Sequence, residues 1–165
     1  MTGLQTMLRG LAAAALAFAP CVPAYAATLT GVASVIDGDT LEIHGTRIRL
    51  FGIDAPESGQ LCTRESGERW RCGQQAALTL SDRIGRATVS CSGLDTDRYG
   101  RMVAVCRSRG VDLNGWMVAQ GWALAYRRYS MEYVSAENRA ARLRRNIWAG
   151  RFDMPWEWRA ARRRR

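Results

Sequence analysis

The chain has 165 residues, of which 47% are hydrophobic and 24% are charged. This length and composition predict about one globular domain and exclude a disordered chain. The formal net charge is +9, and all 24 basic side chains belong to arginine. Because the guanidinium fork matches phosphate oxygens two at a time, the composition favours a polyanionic partner. A genomic codon bias would produce the same lysine-free composition, so the charge alone does not establish a polyanionic partner.

The N-terminal segment has the layout of a secretory signal peptide. Arg9 precedes an apolar run from Leu11 to Ala19, which is followed by two prolines and by Ala24-Tyr25-Ala26. An Ala-x-Ala sequence at this distance predicts cleavage after Ala26. A membrane anchor is the alternative, but a span needs about 20 apolar residues, and this run is shorter. We therefore expect a periplasmic or secreted protein with no stable membrane span after cleavage.

Cysteine usage fits export. Apart from one cysteine in the signal segment, the chain has Cys62, Cys72, Cys91 and Cys106. An even number in an oxidising compartment predicts two disulfides, for which three pairings are possible. Cys91 ends one β-rich run and Cys106 lies in the next, as cross-strand partners would, so Cys91–Cys106 and Cys62–Cys72 are favoured. A zinc site is a poor alternative, because there is no Cys-x-x-Cys pair and only one histidine.

Short β-runs with turn residues begin at Thr28 and predict a meander of three strands. The elements predicted after it are a loop from Ser58 to Trp70, a helix from Gln74 to Ile84, strands from Ala87 to Ser92 and from Arg101 to Arg107, a short helix opened by Asp112 and ended near Gly121, and a helix from about Ser130 to Trp148. This is the order of an OB-type barrel. The predicted fold class is mainly β with α, namely a five-stranded OB-fold barrel with about three helices.

The expected domain organisation is a signal peptide over residues 1–26, one OB-fold domain over residues 27–150 and a tail over residues 151–165. The tail contains two tryptophans and ends in a run of arginines. We expect packed tryptophans followed by a solvated, mobile basic end. An arm that grips a polyanion is the alternative.

Two acidic turns stand out because they follow β-runs. One contains Asp37 and Asp39, and the other contains Asp54 and Glu57. A hard cation such as Ca²⁺ or Mg²⁺ prefers the oxygen ligands that these turns offer. Either cluster alone is explained at least as well as an ordinary turn, since Asp and Gly are common turn formers. Together with nearby arginines, the two clusters favour a cation site.

Nearby residues would meet the needs of phosphodiester hydrolysis. The reaction requires a positioned water and neutralisation of the charge that builds up on the phosphoryl and leaving oxygens. Arg49 and Arg101 would neutralise that charge, and Glu57 would hold or deprotonate the water. One difficulty is that strand alternation puts Arg49 and Asp54 on opposite faces, unless Gly52 introduces a bulge.

The segments VIDGDTLEI, RIRLFGIDAPE and DRYGR, in this order and separation, resemble the staphylococcal-nuclease-like (thermonuclease) family. The resemblance runs from Thr28 to about Trp148. It implies an OB-fold barrel with calcium-dependent endonuclease activity, DNA or RNA as the partner, and Ca²⁺ as the cofactor. A monomer is expected. The four cysteines outside the signal segment, and arginines where the family often has lysines, leave the substrate preference open.

The resemblance also implies roles for individual residues in the cation site. Asp39 and Asp54 are similar to the family's calcium carboxylates, and the carbonyl of Ala55 is similar to its backbone ligand. Asp37 would act on the ion through a water.

The remaining roles concern catalysis and substrate binding. Arg49 and Arg101 resemble the family's two catalytic arginines, and Glu57 resembles its water-positioning carboxylate. The residues similar to the family's substrate-binding positions are Arg98, Tyr99 and Tyr126.

Two alternatives belong to other classes of protein. One is a catalytically silent OB-fold module that binds nucleic acid or another polyanion, because a fold does not guarantee a function. The other is a small structural protein stapled by disulfides, which would have no salt-dependent affinity for DNA.

Overall fold

The structure is a computed structural model that describes residues 27–164. The predicted signal peptide, residues 1–26, lies outside the described residues. Within residues 27–164, no helix is both long and apolar enough to cross a membrane.

The secondary structure follows the predicted order, with extra short elements. The strands are β1 (Thr28–Val32), β2 (Ser34–Asp37), β3 (Thr40–Ile43), β4 (Thr46–Leu50), β5 (Ile53–Asp54), β6 (Cys62–Thr63), β7 (Arg69–Trp70), β8 (Thr88–Thr96), β9 (Met102–Ser108), β10 (Val111–Asp112) and β11 (Leu124–Ala125). The helices are α1 (Cys72–Ile84), α2 (Leu113–Ala119), α3 (Val134–Arg142) and α4 (Pro155–Arg163), with a 3-10 helix at Asn146–Ala149.

The main sheet curls into a half barrel of the OB type, as the sequence predicts. Its strand order is β1-β8-β9-β4-β3-β2, and β10 extends it beside β9. Strands β2, β3 and β4 form the predicted meander, and β8 and β9 form an antiparallel hairpin. The run predicted as one strand from Thr28 is divided, and its first part, β1, pairs with β8. Strand β4 runs parallel to β9, which brings the turn after β2 close to the start of β9. The fold is therefore mixed β and α, with the acidic turns near the β8–β9 hairpin.

The main core lies between the sheet and helices α1 and α2. Alternation along β3 and β4 buries Leu41, Ile43, Ile48 and Leu50, each at most 1% exposed. Helix α1 contributes a buried stripe with the spacing of an amphipathic helix, formed by Ala76, Leu80 and Ile84. Burying a large apolar side chain stabilises a fold by about 1.5–3 kcal/mol. These contacts hold the strands that carry the acidic turns.

Both disulfides of the favoured pairing are present. Cys91 and Cys106 are directly opposite each other in the β8–β9 hairpin, and their Cα atoms are 4.0 Å apart. Cys62 is bonded to Cys72, the first residue of α1, which ties the loop after the second acidic turn to that helix.

The long last helix predicted from about Ser130 to Trp148 is wrong. Helix α3 covers only Val134–Arg142, and Arg144 and Asn146 adopt positive φ angles of 51° and 46°. The amide of Asn146 donates a hydrogen bond of 2.6 Å to the carbonyl of Gln120. Contacts to the end of α2 therefore outweigh helix propensity here.

The tail also differs from its prediction. Trp156 packs as expected, against a small buried cluster formed by Cys62, Cys72, Leu124 and Ile147. The basic end, however, continues as α4, which begins with Pro155 in its first turn. Arg162, Arg163 and Arg164 are exposed, but the expected solvation is wrong for Arg159, which contacts Asp54 and Glu57 of the second acidic turn.

Candidate active site

Arg49 joins the two acidic turns. Its Nη1 atom lies 2.5 Å from Oδ2 of Asp39, and its Nη2 atom lies 2.8 Å from Oδ1 of Asp54. Strand alternation alone would separate Arg49 from Asp54, but the chain turns at Gly52, which has a φ of +72°. A turn at Gly52, where glycine is favoured, therefore brings the two side chains together.

The residues predicted to hold a cation lie together. Asp39 Oδ2 accepts a hydrogen bond of 2.7 Å from the backbone N–H of Ala55. Asp37 Oδ1 accepts one of 3.1 Å from the backbone N–H of Asp39. Asp54 is 0% exposed and Asp39 is 7% exposed. The fold thus places three carboxylates in one poorly solvated region.

The electrostatics reflect this crowding. Burial raises the pKa of Asp37 to about 7, and the charge of Asp39 adds to the rise. Burial also raises the pKa of Asp54 despite its hydrogen bonds from arginine, and the charge of Asp39 adds to that rise. Burial alone would lower the pKa of Arg49, but attraction to Asp39 and Asp54 outweighs it and raises that pKa. Additional positive charge would stabilise the ionised carboxylates.

The chemistry of these donors fits a hard divalent cation. Asp39, Asp54 and the carbonyl of Ala55 offer only oxygen, which Ca²⁺ prefers, and soft ligands are absent from the set. Among residues 27–164, no group of three or more His, Cys, Asp or Glu side chains is arranged to ligate a metal. Two carboxylates would therefore leave several ligand positions to backbone carbonyls, waters and substrate.

Glu57 lies at the edge of the same region, with 33% of its side chain exposed. Its backbone is fixed by Gln60, whose N–H donates to the Glu57 carbonyl at 2.7 Å. Gln60 is fully buried, and its side-chain amide donates to the carbonyl of Asp153 at 2.6 Å. The position of Glu57 is thereby linked to the segment that leads into α4.

Arg101 approaches the carboxylates from the start of β9. Its Nε donates to Asp97 Oδ2 at 2.8 Å, and its Nη1 donates to Thr40 Oγ1 at 3.5 Å. The hydroxyl of Thr40 in turn donates to Asp39 Oδ1 at 3.2 Å. Arg101 is therefore connected to the acidic turn through one threonine.

Arg98 and Tyr99 form an exposed platform in the turn between β8 and β9. Tyr99 is 68% exposed, and its ring lies beneath the guanidinium groups of Arg98 and Arg101, at 4.9 and 5.5 Å. Asp97 shapes the turn by accepting hydrogen bonds from the backbone N–H groups of Tyr99 and Arg101. An accessible aromatic ring flanked by cations suits a nucleotide.

Tyr126 lies just after β11, which pairs with the strand that carries Asp54. Its ring stacks on Trp156 of α4, with centroids 5.6 Å apart and planes 13° apart. The two rings border an open cleft of about 450 Å³ whose lining also includes three arginines, namely Arg127, Arg128 and Arg163. In this structure, Tyr126 contacts the C-terminal helix.

Arg159 is the site residue that the sequence did not identify. Its Nη1 donates to Asp54 Oδ1 at 3.0 Å, and its Nη2 donates to Asp54 Oδ2 at 2.7 Å. Nη1 also donates to Glu57 Oε1 at 2.6 Å. The sequence Pro155-Trp-Glu-Trp is a usable helix-start signal, because proline and an acidic residue favour the first turn. Nothing in the sequence, however, distinguishes Arg159 from the other arginines.

Comparison with known proteins gives consistent similarities. A family model described as staphylococcal nuclease homologue matches residues 47–150. A protein named micrococcal nuclease, from Shigella flexneri, is 32% identical over 179 residues, covering 98% of this chain and 97% of that protein. An uncharacterized endonuclease of Escherichia coli O157:H7 is 33% identical over 136 residues, covering 78% of this chain and 82% of that protein.

A further relative is matched over a shorter region. The succinoglycan biosynthesis protein ExoI of Rhizobium meliloti (strain 1021) is 39% identical over 98 residues. The match covers 58% of this chain and 51% of that protein, so the chain spans about half the length of this relative.

Proposed function

The chain belongs to the staphylococcal nuclease homologue family, and on that premise we propose that it is an exported, calcium-dependent endonuclease that hydrolyses phosphodiester bonds of DNA, RNA or both. The observation that best supports this proposal is that Arg49 bonds to both Asp39 and Asp54. Two carboxylates and a buried guanidinium in contact provide both a cation site and a donor for phosphoryl oxygens.

Asp39, Asp54 and the carbonyl of Ala55 would hold the calcium ion, with Asp37 acting through a water. When bound, the ion supplies positive charge that offsets the negative charge on the scissile phosphate. Its affinity without substrate is expected to be low, because few protein ligands are available and the site is completed by substrate and water.

The side chains of the protein supply the other functions. Glu57 is placed beside Asp54, where its carboxylate accepts a proton from the attacking water. Arg49 and Arg101 donate hydrogen bonds to the phosphoryl oxygens, on which charge accumulates in the transition state. The exposed platform of Arg98 and Tyr99 holds a neighbouring nucleotide by charge and stacking.

Substrate can reach both faces of the Tyr126 ring only if Trp156 moves away from it. The ring stacks on Trp156 of α4, so its face on that side is already occupied. The arginine-lined cleft beside it suits a phosphate backbone. We assign Tyr126 to the substrate path through this arginine-lined cleft.

Export is supported by the disulfides. Two disulfides in a domain of this size are typical of an oxidising compartment and rare in a reducing one. Together with the signal-peptide pattern of residues 1–26, they support a periplasmic or secreted protein, which we propose acts as a monomer.

One observation favours the alternative of a silent polyanion-binding module. Arg159 already donates to both oxygens of Asp54 and to one oxygen of Glu57, so these carboxylates have a positively charged partner without a metal ion. A protein that has lost catalysis would tolerate such contacts permanently. The alternative predicts salt-dependent DNA binding with no cleavage under any condition.

The test is a cleavage assay with purified protein and three substrates: covalently closed circular DNA, linear duplex DNA and single-stranded RNA. Each is incubated with Ca²⁺ or with EGTA. We expect the closed circle to be cut when Ca²⁺ is present and to remain intact in EGTA. Equal cleavage in both conditions would refute calcium dependence, and no cleavage of any substrate would favour the silent module. Cleavage of linear but not closed DNA would refute the endonuclease mode.

A further inference from the structure

Helix α4 places a cation of the protein on the residues proposed to hold calcium. Arg159 lies 105 residues after Asp54 in the chain, yet it binds both carboxylate oxygens of Asp54 in a two-point fork. The same guanidinium reaches Glu57 Oε1 at 2.6 Å. One side chain thus occupies a proposed metal ligand and the proposed general base together.

The geometry points to an intramolecular inhibitor: we propose that Arg159 competes with the divalent cation for Asp54, and that α4 must release Arg159 before the site is active. This inference rests on the proposed function, because it describes the regulation of the same site. Asp54 Oδ1 accepts hydrogen bonds from both Arg49 and Arg159, and Oδ2 accepts one from Arg159, so both oxygens are occupied by guanidinium N–H groups. Because Arg49 binds Oδ1 and Arg159 binds Oδ2, the cation gains access to Oδ2 only after Arg159 has left.

Few residues of helix α4, which carries Arg159, are buried. Helix α4 has nine residues, and Pro155 is its one buried residue among those the structure describes. Helices shorter than about 12–15 residues are marginal on their own in water, so docking contacts hold α4 in place. Two of these contacts are the bonds of Arg159 to the carboxylates and the stacking of Trp156 on Tyr126.

Release of helix α4 would change two parts of the site together. When Arg159 leaves, Asp54 and Glu57 become available for the cation and the water. When Trp156 leaves with the same helix, the covered face of Tyr126 becomes available for substrate. The basic helix itself would then be free to follow the phosphate backbone, since Arg162 and Arg163 are exposed. Cation binding, substrate binding and helix release are thus expected to be linked.

The link between cation binding and release of α4 changes the apparent affinity for the cation by a measurable factor. If the cation binds only when α4 is undocked, its apparent dissociation constant equals the intrinsic constant divided by the undocked fraction. Couplings between sites in proteins typically change affinity about 5- to 150-fold. We therefore expect removal of the Arg159 guanidinium to tighten Ca²⁺ binding by about tenfold or more.

The experiment is isothermal titration of Ca²⁺ into purified protein that carries no nucleic acid. Arg159→Gln is compared with the wild type and with Arg162→Gln, which removes the same charge from the same helix at a side chain that lies on Trp158. We expect about tenfold tighter binding for Arg159→Gln and a change of less than about twofold for Arg162→Gln. Adding Asp54→Asn to Arg159→Gln should abolish the gain in Ca²⁺ affinity, which would show that the ion binds at Asp54.

A second variant covers the case in which Arg159→Gln does not fold. Trp156→Ala weakens the docking of α4 without touching a carboxylate, so it should also tighten Ca²⁺ binding. Hydrogen exchange provides an independent measurement, since the backbone amides of residues 156–163 in the wild type should exchange faster when Ca²⁺ is added. Slower exchange would overturn the inference, because it would mean that Arg159 and the ion occupy the site together.

The outcomes separate this inference from the proposed function. Unchanged or weaker Ca²⁺ binding by Arg159→Gln, or no binding even at millimolar Ca²⁺, would refute the proposal that Arg159 inhibits the site. Tighter Ca²⁺ binding by Arg159→Gln, with no nuclease activity in the wild type or in any variant, would support inhibition by Arg159 and refute the proposed function. Tighter binding together with higher activity at limiting Ca²⁺ is the result expected when both hold.

Discussion

Gly73 packs directly against Glu57, so closely that a Cβ atom at position 73 would lie 1.7 Å from the carbonyl oxygen of Glu57. Gly73 is the second residue of α1 and follows Cys72, which is held by a disulfide. Real Cβ atoms do not approach a carbonyl oxygen this closely, so only glycine permits this contact. The start of α1 therefore fixes the backbone that carries the proposed general base.

Replacing Gly73 with Ala should displace Glu57. Although Ala is about 1 kcal/mol better than Gly inside a helix, the clash should lower the free energy of unfolding by about 1–3 kcal/mol. A displacement of about 1 Å at a catalytic group can reduce the rate about 10²-fold. Thermal unfolding and a cleavage assay measure both effects. Gly59→Ala is the control, since its Cβ would make ordinary contacts at 3.9 Å; equal behaviour of the two variants would contradict the role of Gly73.

Arg101→Gln should slow cleavage with little effect on folding. Removing a preorganised donor to a transition state typically costs about 10²–10³ in rate. Its ion pair with Asp97 is partly exposed, so its loss should change stability by less than about 1 kcal/mol. Arg47→Gln on β4 is the control, because Arg47 is an exposed arginine whose pair with Glu42 is long, at 3.8 Å. A normal rate for Arg101→Gln would remove it from the mechanism.

Tyr133 should make a pH-dependent contribution to stability. Its hydroxyl donates to Asp112 Oδ2 at 3.0 Å, and Asp112 caps α2 by accepting from the N–H of Gly115. Burial of the phenol, and then the charge of Asp112, raises the pKa of Tyr133 above its usual 10.0. This contribution is complete below pH 10.0 and is lost as pH rises further, because the unfolded phenol ionises first.

The variant Tyr133→Phe tests this contribution. We expect it to cost about 1 kcal/mol at pH 7, the typical value of one hydrogen bond. The difference from the wild type should shrink when unfolding by urea is repeated above pH 10. A difference that does not depend on pH would show that packing, rather than the hydrogen bond, is lost.

The two disulfides should differ in their effect on activity. Removing either one should lower the free energy of unfolding by about 3 kcal/mol, given the short loops that they close. Cys62–Cys72 anchors the start of α1 next to Glu57, so the double change to Ala should also reduce cleavage. Cys91–Cys106 lies within the β8–β9 hairpin, and its double change to Ala should affect stability alone. Unfolding and cleavage assays on the two double variants compare these effects, and equal losses of activity would contradict the difference.

Much of the fold is predictable because it depends on local patterns. Alternating apolar residues indicate the strands of the meander, and the stripe in α1 indicates that helix. The left-handed Gly121, with a φ of 72°, ends the helix that Asp112 caps, as predicted. The cross-strand position of Cys91 and Cys106 follows from the same hairpin pattern.

The parts that the sequence did not predict depend on tertiary contacts. The break after α3 exists because Asn146 and Arg145 bond to carbonyl groups at the end of α2. The contact between Arg49 and Asp54 is predicted only if Gly52 bends the chain, because strand alternation alone separates the two side chains and the turn at Gly52 brings them together. Arg159 meets Asp54 only after the whole chain has folded, so its position carries no local signal.

The convergent carboxylates and arginines are proposed to perform hydrolysis and not merely to bind nucleic acid. The decisive measurement is the rate of DNA cleavage by Glu57→Gln at saturating Ca²⁺, taken together with its affinity for the same DNA. Loss of a general base typically reduces a rate about 10²–10⁴-fold. We predict a loss of this size with DNA affinity unchanged. A wild-type rate of cleavage by Glu57→Gln would show that Glu57 does not act as the general base and would contradict hydrolysis at this site.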